Sequence, residues 1–397
     1  MIRLSVIAMA VAGPLVASAA IDYAFLKSLL EIPSVSADAS SVNRAVDLTR
    51  SWLEKTGVCC QVETKAAGRT ALYPSTRPGK VQDYLLVTHL DVVPAGPEQF
   101  KPRFECDRVY ARGAHDCKGN AVLAAQVLKD LNGKASVGAV FAGDEEIGGF
   151  TTKMMVERGY GAKKLIVILD AGTYGVFYAE KGNYYLHVRA VGRGGHSSAA
   201  PWLKNPIDRL ADGYLKFMAA WPKVPADGWG DVISATLVSA GEAENRIPDT
   251  AEMTLNLRSV TADAPERAAK LLKVVGGLEV VRVDESAKPV TSDVNDPEIV
   301  RFLAARKAFW PEKKPGFQRM LAATDARHFT ASGVPIVITG TMGANAHAQG
   351  EWQDLKSIDE NAEMLERYFG RNRLGMFVDQ RSATSEPAHP ALSTSAR

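Results

Sequence analysis

Hydrophobic residues in this chain occur mainly as short continuous runs separated by segments with helical spacing. Four runs predict strands buried on both faces of a sheet, because they leave no polar positions for a solvated face. They lie at residues 84–87, 137–141, 165–169 and 335–338. Ala, Val and Leu at helical spacing predict a helix at 119–131, and a last helix is expected at 358–369. The alternation predicts an α/β domain with a mixed sheet and crossover helices.

The stretch from residue 183 to residue 297 has a different rhythm. Its strands are predicted at 184–191, 232–239, 251–260 and 278–283, and its helices at 205–220 and 264–275. This order, β-α-β-β-α-β, is typical of a small sheet covered by two helices. We therefore expect an inserted α+β, ferredoxin-like domain at 183–297. Residues 20–182 and 298–375 would form the domain that surrounds it.

The two ends of the chain differ in composition from the rest. Arg3 precedes an apolar run at residues 4–16, and residues 17–19 supply the small side chains of a signal-peptidase site. Residues 1–19 are therefore interpreted as a cleaved secretory signal, with an uncleaved anchor as the alternative. The mature protein would be secreted or periplasmic, without a membrane span. Residues 376–397 are rich in Ser, Ala and Pro and are predicted to be disordered.

Charge and cysteine content restrict the possible functions. Lys plus Arg total 47 against 45 acidic residues, so no concentrated basic surface for nucleic acid is expected. The four cysteines, Cys59, Cys60, Cys106 and Cys117, form no CxxC pattern, which excludes a cysteine zinc site. In an oxidising compartment Cys106 and Cys117 could pair, and the sequence leaves this open.

His and carboxylate residues follow each of the four predicted central strands. Ligands of open α/β sheets bind outside the carboxyl ends of the strands, so these side chains are expected at one edge. The set, including one acid just before a helix, is His89, Asp91, Asp116, Asp144, Glu145, Glu146, Asp170, His347 and Glu351. Imidazole mixed with carboxylate favours zinc over magnesium. So many ligands suit two ions sharing one carboxylate better than one tetrahedral ion.

The segments that carry these residues resemble, in order along the chain, the signatures of the M20 metallopeptidases. They are residues 89–91, 112–119, 144–148, 170, 195–198 and 347–351. The resemblance extends from about residue 22 to residue 369. The family includes glutamate carboxypeptidase, aminoacylase, acetylornithine deacetylase and several dipeptidases. It implies a hydrolase that cleaves an amide bond with two metal ions.

The resemblance also implies a ligand for each metal position. His89 and Asp170 would bind one zinc ion, and Glu146 and His347 would bind the other. Asp116 would bridge the two ions. Co²⁺ or Mn²⁺ are possible substitutes for zinc.

Further roles follow from the same resemblance. Glu145 would be the general base, and Asp91 would accept a hydrogen bond from His89 and fix its tautomer. His196, in the inserted domain, would lie near the oxyanion and, as is typical of the family, reach across a homodimer into the partner's site. Asn245 and Arg258 would contribute to substrate binding.

Arg319 matches a position that grips a substrate carboxylate, a task that bidentate guanidinium geometry suits. The sequence departs from the family pattern at Cys117, next to the bridging acid, and at Gly350, where many relatives carry Asn. Neither departure removes a metal ligand, but both affect the expected substrate pocket.

Small peptides are the favoured substrates, as for a dipeptidase or exopeptidase. The reason is Asp170, because deacylases and carboxypeptidases of the family more often carry Glu there. The nearest alternative is an N-acyl-amino-acid deacylase. A two-metal phosphoesterase is disfavoured, since no phosphate-cradling Gly-rich loop is found. A non-catalytic periplasmic protein that binds a metal or ligand is the alternative from another class.

Overall fold

The computed structural model describes residues 20–65 and 68–370. The predicted signal at 1–19 and the predicted disordered tail at 376–397 lie outside these residues, so both stay predictions, as does the secreted or periplasmic location. Within the described ranges, no helix combines the length and the apolar character that crossing a membrane requires.

The first part of the chain forms two helices and most of a large sheet. Asp22 and Asp38 precede the two helices, and their carboxylates accept hydrogen bonds from the first exposed backbone N–H groups. The elements are α1 (Tyr23–Leu30), α2 (Ala39–Lys55), β1 (Cys59–Thr64), β2 (Thr70–Ser75), β3 (Val81–His89), β4 (Arg103–Glu105), β5 (Arg108–Tyr110), α3 (Gly119–Leu131), β6 (Val137–Ala142), α4 (Phe150–Glu157), β7 (Gly161–Leu169) and β8 (Thr173–Glu180).

The inserted domain follows directly. Its elements are β9 (Gly182–Val191), β10 (Gly195–His196), α5 (Pro206–Ala220), β11 (Val232–Ala240), β12 (Arg246–Ile247), β13 (Thr250–Ser259), α6 (Ala264–Val274) and β14 (Glu279–Ala287). Four of the strands form an antiparallel sheet in the order β11-β13-β9-β14, and α5 and α6 share its apolar core. The predicted β-α-β-β-α-β arrangement is confirmed. The short ribbon of β10 and β12 is an addition to it.

The chain then returns to the large sheet and completes it. The elements are β15 (Val290–Thr291), α7 (Pro297–Phe309), β16 (Phe317–Met320), β17 (Ile336–Gly340), β18 (Gly343–Ala344), β19 (Trp352–Asp354) and α8 (Leu355–Gly370). Since β15 pairs with β8, the return occurs before residue 298, where the sequence placed the boundary. A two-residue strand has no periodicity that could mark it in the sequence.

The large sheet is mixed and has the order β1-β2-β6-β3-β7-β17-β8-β15, with β16 against β8. Its centre is parallel: β3 runs parallel to β6 and β7, and β17 runs parallel to β7. Both faces of the centre are covered, because Tyr84 and Leu86 pack into one apolar core while Leu85 and Val87 pack into a second. This explains the continuous apolar runs. It also places the carboxyl ends of four strands along one edge.

Candidate metal centre and active site

The five predicted metal ligands meet at the carboxyl edge of the central strands. His89 ends β3 and Asp170 follows β7, while Glu146 lies in the turn after β6. Two groups of side chains place their donor atoms within 4.8 Å of one another. They are His89, Asp116, Cys117 and Asp170 in one group, and Asp116, Glu146 and His347 in the other. Asp116 is common to both groups.

The two oxygens of Asp116 face different histidines. Oδ1 lies 3.0 Å from Nε2 of His89, and Oδ2 lies 3.0 Å from Nε2 of His347. Nε2 of His89 is also 3.6 Å from Asp170 Oδ1, and Nε2 of His347 is 3.0 Å from Glu146 Oε2. This geometry suits a carboxylate shared between two adjacent metal positions.

The charges of the cluster also fit divalent cations. Among the described residues, Asp116, Glu146 and Asp170 form ion pairs only with histidine, and no Lys or Arg compensates them. Buried carboxylates without such compensation are costly, and metal ions relieve that cost. Nitrogen and oxygen donors together are the mixture expected for zinc. The residues present therefore fit a pair of metal ions.

The pKa values in the cluster show how strongly its groups interact. Hydrogen bonds to Asp116 and Glu146 raise the pKa of His347 to about 10. Burial alone would raise the pKa of Asp116, but the hydrogen bonds from His347 and His89 outweigh it and hold that pKa well below its usual range. Burial raises the pKa of Asp170. A metal ion would take the place of the protons that the histidines hold, since ligating imidazole is neutral and ligating carboxylate is ionised.

Asp91 contacts His89 differently from the sequence expectation. Nδ1 of His89 lies 3.0 Å from the main-chain carbonyl oxygen of Asp91, and 3.4 Å from its carboxylate. The fully buried carboxylate accepts hydrogen bonds from the N–H groups of Glu145 and Glu146, at 3.0 and 3.2 Å, and from the hydroxyl of Ser36 at 2.7 Å. Asp91 therefore orients the imidazole mainly through its carbonyl group. Its carboxylate fixes the turn that carries Glu145 and Glu146.

Glu145 lies in the same turn and has a partner that the sequence reasoning missed. Nη2 of Arg327 is 2.7 Å from Glu145 Oε1, and both side chains are nearly inaccessible to solvent. Burial raises the pKa of Glu145 well above its usual value, with Asp325 and Asp170 adding to the rise and Arg327 opposing it. None of the segments that carry the family resemblance includes Arg327, so its role has no signal in the sequence.

The backbone that presents Asp116 is held by Glu351, a residue from the far end of the chain. The Glu351 carboxylate accepts hydrogen bonds from the N–H groups of Gly113, His115 and Asp116, each at 3.0 Å. It also pairs with the buried guanidinium of Arg112. Glu351 belonged to the predicted constellation without an assigned role, and the structure shows that it supports the loop of the shared ligand.

A cavity of about 300 Å³ opens over the cluster. Asp116, Glu145, Glu146, Asp170 and His347 line one side of it. The remaining wall is mostly apolar and includes Phe177, Met320, Ala322, Ala323 and Thr324. Four of the five predicted ligands and the predicted base therefore face one space, which is large enough for a small substrate, while His89 is buried behind them.

His196, predicted near the oxyanion, and the three residues predicted to bind substrate do not line this cavity within the chain. His196 is exposed, with Nδ1 2.8 Å from the hydroxyl of Ser198, and the Asn245 carbonyl accepts the N–H of Ser197. Arg258 lies on β13 in the inserted domain. Arg319 donates to Asp227 Oδ2 at 2.7 Å, so its guanidinium already has a carboxylate partner from the protein itself.

The possible disulfide is not formed. Cys106 is an exposed free thiol, whereas Cys117 is buried. Sγ of Cys117 lies 2.9 Å from the carbonyl oxygen of Leu169, to which it donates. Burial raises the pKa of the Cys117 thiol to about 12.

Comparison with known proteins identifies the family of this chain. Residues 85–371 match the sequence model of peptidase family M20/M25/M40. The chain belongs to this family. The resemblance seen in the sequence is thereby confirmed, and the protein is a hydrolase of amide bonds from a metal-dependent family.

The curated relatives include both deacylases and peptidases. An acetylornithine deacetylase from Myxococcus xanthus is 27% identical over 374 residues, which cover 87% of this chain and 90% of that protein. Carboxypeptidase G2 from Pseudomonas sp. (strain RS-16) is 25% identical over 373 residues, which cover 86% and 87%. The family is therefore clear, while the relatives divide over the substrate.

Solved structures share the fold. A tripeptidase from Staphylococcus aureus superposes with a TM-score of 0.72 at 14% identity, covering 88% of this chain and 96% of that one. A dinuclear metal-binding M20 peptidase from Bacillus subtilis superposes with a TM-score of 0.61 at 14% identity, covering 88% and 98%. The predicted fold class, an α/β domain with an inserted α+β domain, is confirmed.

Proposed function

We propose that this protein is a two-zinc hydrolase that cleaves the amide bond of small peptides, as a dipeptidase or exopeptidase does. The observation that carries the proposal is the position of Asp116, whose two oxygens face His89 and His347 at 3.0 Å each, beside a cavity that Glu145 also lines. His89 and Asp170 would hold one ion, and Glu146 and His347 the other, with Asp116 shared.

The protein groups have separate tasks in this proposal. When bound, the two ions supply an activated water and polarise the carbonyl group of the scissile bond. Glu145 removes the proton of that water and passes it to the leaving nitrogen. Burial raises the pKa of Glu145 above its usual value. Asp91 holds the turn of Glu145 through two backbone N–H groups.

The second candidate is an N-acyl-amino-acid deacylase. It uses the same residues and the same chemistry, and differs only in the group on the acyl side of the bond. The similarity to the acetylornithine deacetylase, at 27% identity, favours it. Asp170 at the metal position favours the peptidase. A non-catalytic binding protein is disfavoured, because the ligand set and the base are both retained around one cavity.

The test is hydrolysis, with added zinc, of free-amino dipeptides and of N-acetylated amino acids with matching side chains. We expect turnover of the dipeptides, its loss with a chelator, and its restoration by zinc. Glu145→Gln should retain both metal ions and lose at least about 100-fold in kcat, the usual contribution of a general base. Turnover of the acetylated compounds alone would show that the protein is a deacylase and not a peptidase. Chelator-resistant hydrolysis would refute the metal mechanism.

We also propose that the protein is a homodimer formed through the inserted domain. The edge strand β11 exposes Leu237 by 68% and Val238 by 65%, and Leu215 on helix α5 of the same domain is exposed by 67%. An unpaired edge with apolar side chains favours pairing with a second strand. His196, exposed and outside the cavity of its own chain, would then be available to the site of the partner.

A further inference from the structure

Residues 325–328 contact the turn that carries Glu145 and Glu146. Nη2 of Arg327 donates to the carboxylate Oε1 of Glu145 at 2.7 Å and to the main-chain carbonyl of the same residue at 3.2 Å. Nε2 of His328 lies 3.1 Å from the carbonyl oxygen of Gly148. One short segment thus contacts the turn at both its beginning and its end.

The next glycine of the turn shows how tight this contact is. Gly149 has a left-handed φ of +63°, and a Cβ atom there would lie 1.8 Å from Oδ1 of Asp325. The Asp325 carboxylate therefore packs directly on bare glycine backbone. Its other oxygen, Oδ2, accepts the hydroxyl of Thr152 in α4, and Oδ1 lies 3.4 Å from Nη2 of Arg327. Asp325, held in this way, in turn orients the guanidinium of Arg327.

The Arg327–Glu145 pair is desolvated. The side chains are exposed by 7% and 12%, so solvent does not screen the pair as it screens a surface ion pair. Both bonds to Glu145 come from one amino group, Nη2, which thereby holds the backbone and the side chain of that residue. The planar guanidinium sets the direction of these N–H groups. A lysine would match the charge, but its ammonium rotates freely and fixes no such direction.

We propose that Arg327 is the positioning residue of this active site: it binds one carboxylate oxygen of Glu145 so that the other is free to take the proton of the attacking water at the cavity. The inference rests on the proposed function, because it assumes that Glu145 is the base. It assigns a role to a residue that makes no contact with the metal cluster. Arg327 acts on the reaction only through Glu145.

The experiment compares Arg327→Ala, Arg327→Lys and Glu145→Gln, together with the double variant Arg327→Ala/Glu145→Gln. The control is Arg158→Ala, which removes another Arg–Glu pair, with Glu63, away from the cavity. Each protein is assayed for kcat, KM and bound zinc with the substrate that the wild type accepts. Wild-type hydrolysis tests the proposed function, and the ratios among the variants test the role of Arg327.

For Arg327→Ala we expect a fall in kcat of at least about 30-fold, with KM within about twofold and two zinc ions retained, since only base placement is lost. Arg327→Lys should lose nearly as much, which keeps the test valid if the alanine variant does not fold. The double variant should be no slower than Glu145→Gln. Methylguanidinium should partly restore Arg327→Ala and have no effect on the double variant.

Three results would overturn the inference. One is Arg327→Ala with kcat close to that of Arg158→Ala. Another is full activity in Arg327→Lys, which would make charge alone sufficient. The third is any sign that Arg327 is only a structural anchor, namely an equal loss in the Glu145→Gln background or a parallel loss of zinc. If the wild type hydrolyses neither dipeptides nor N-acetylated amino acids, the proposed function fails, and the role of Arg327 fails with it.

Discussion

Glu180 shows what burial does to a single carboxyl group in this protein. It is fully buried at the end of β8, where Oε2 accepts the N–H and the hydroxyl of Thr324, both at 2.8 Å. Oε1 has no hydrogen-bond partner among the described residues. Burial raises the pKa of Glu180 from 4.5 to about 8. The folded protein therefore retains a proton on this group at neutral pH.

Glu180→Gln should change how stability depends on pH. The folded pKa lies above the unfolded one, so the contribution of Glu180 is complete below pH 4.5 and is lost as pH rises toward 8. Each pKa unit corresponds to about 1.4 kcal/mol. In urea unfolding at pH 5, 7 and 9, the free energy of unfolding of the glutamine variant should increase relative to that of the wild type as pH rises. Parallel profiles for the two proteins would contradict a raised pKa.

At the scale of elements, the loop at residues 112–118 depends on a strand that is distant in sequence. Glu351, just before β19, supplies the acceptors for three backbone N–H groups of this loop. Its pair with Arg112 is almost inaccessible, with side-chain exposures of 1% and 3%. The backbone of Asp116, which is common to both groups of candidate ligands, is therefore held by the segment that also brings His347.

Glu351→Ala should lower both stability and metal content. It leaves three N–H groups and the Arg112 guanidinium without their acceptor, and breaking a buried pair costs about 3–5 kcal/mol. Because Asp116 is common to both ligand groups, both metal ions should bind more weakly, as measured by elemental analysis after dialysis. Glu312→Ala, at an exposed position, is the control and should behave as wild type. Full zinc retention in Glu351→Ala would argue against this support.

The sequence predicted those elements that have a long periodic signal. The helix expected at residues 119–131 is observed as α3, and the runs at 84–87 and 165–169 lie within β3 and β7. The sheet formed by β4, β5, β18 and β19 was missed, because strands of two or three residues show no alternation.

Some side-chain roles were likewise predictable from the sequence, and others were not. The cluster of candidate metal ligands was predictable because the ends of parallel strands meet at one edge. The Arg327–Glu145 contact and the pairing of Arg319 with Asp227 depend on how separate segments pack. The pattern of hydrophobic and polar residues along the chain does not show which segments pack against each other. Arg319 was therefore expected at a substrate, and the structure places it against a loop of the inserted domain.

At the scale of the whole molecule, the inserted domain is tied to the sheet next to the cavity. Nζ of Lys181, between β8 and β9, donates to the carbonyls of Gly228 and Gly230 at 2.7 Å each. Arg319 binds Asp227 in the same loop and lies over the ring of Trp229. The loop therefore links the inserted domain to the strand that leads into the cavity wall. Through these contacts, a movement of the inserted domain would also displace residues of the large sheet.

The proposed dimer can be tested with a charge at the exposed edge. We expect the wild type to sediment as a dimer and Leu237→Asp as a monomer, because a carboxylate in an apolar interface is costly to bury. Val274→Asp, at a position of α6 exposed by 73%, is the control and should remain dimeric. If His196 serves the partner's site, mixing inactive His196→Ala and Glu145→Gln proteins should restore activity. A fully active wild-type monomer would exclude the shared site.

The order of strands in the large sheet has a consequence for how the chain acquires its structure during synthesis. β7 and β8 are consecutive in sequence, yet β17 lies between them. In a nascent chain, the edges of β7 and β8 that later pair with β17 stay unpaired until the whole inserted domain has been synthesised. Contacts of such high sequence separation form slowly. His347 follows β17 closely, so the sheet and the cluster of candidate metal ligands are completed at the same late stage, and a prematurely terminated chain would lack hydrolase activity.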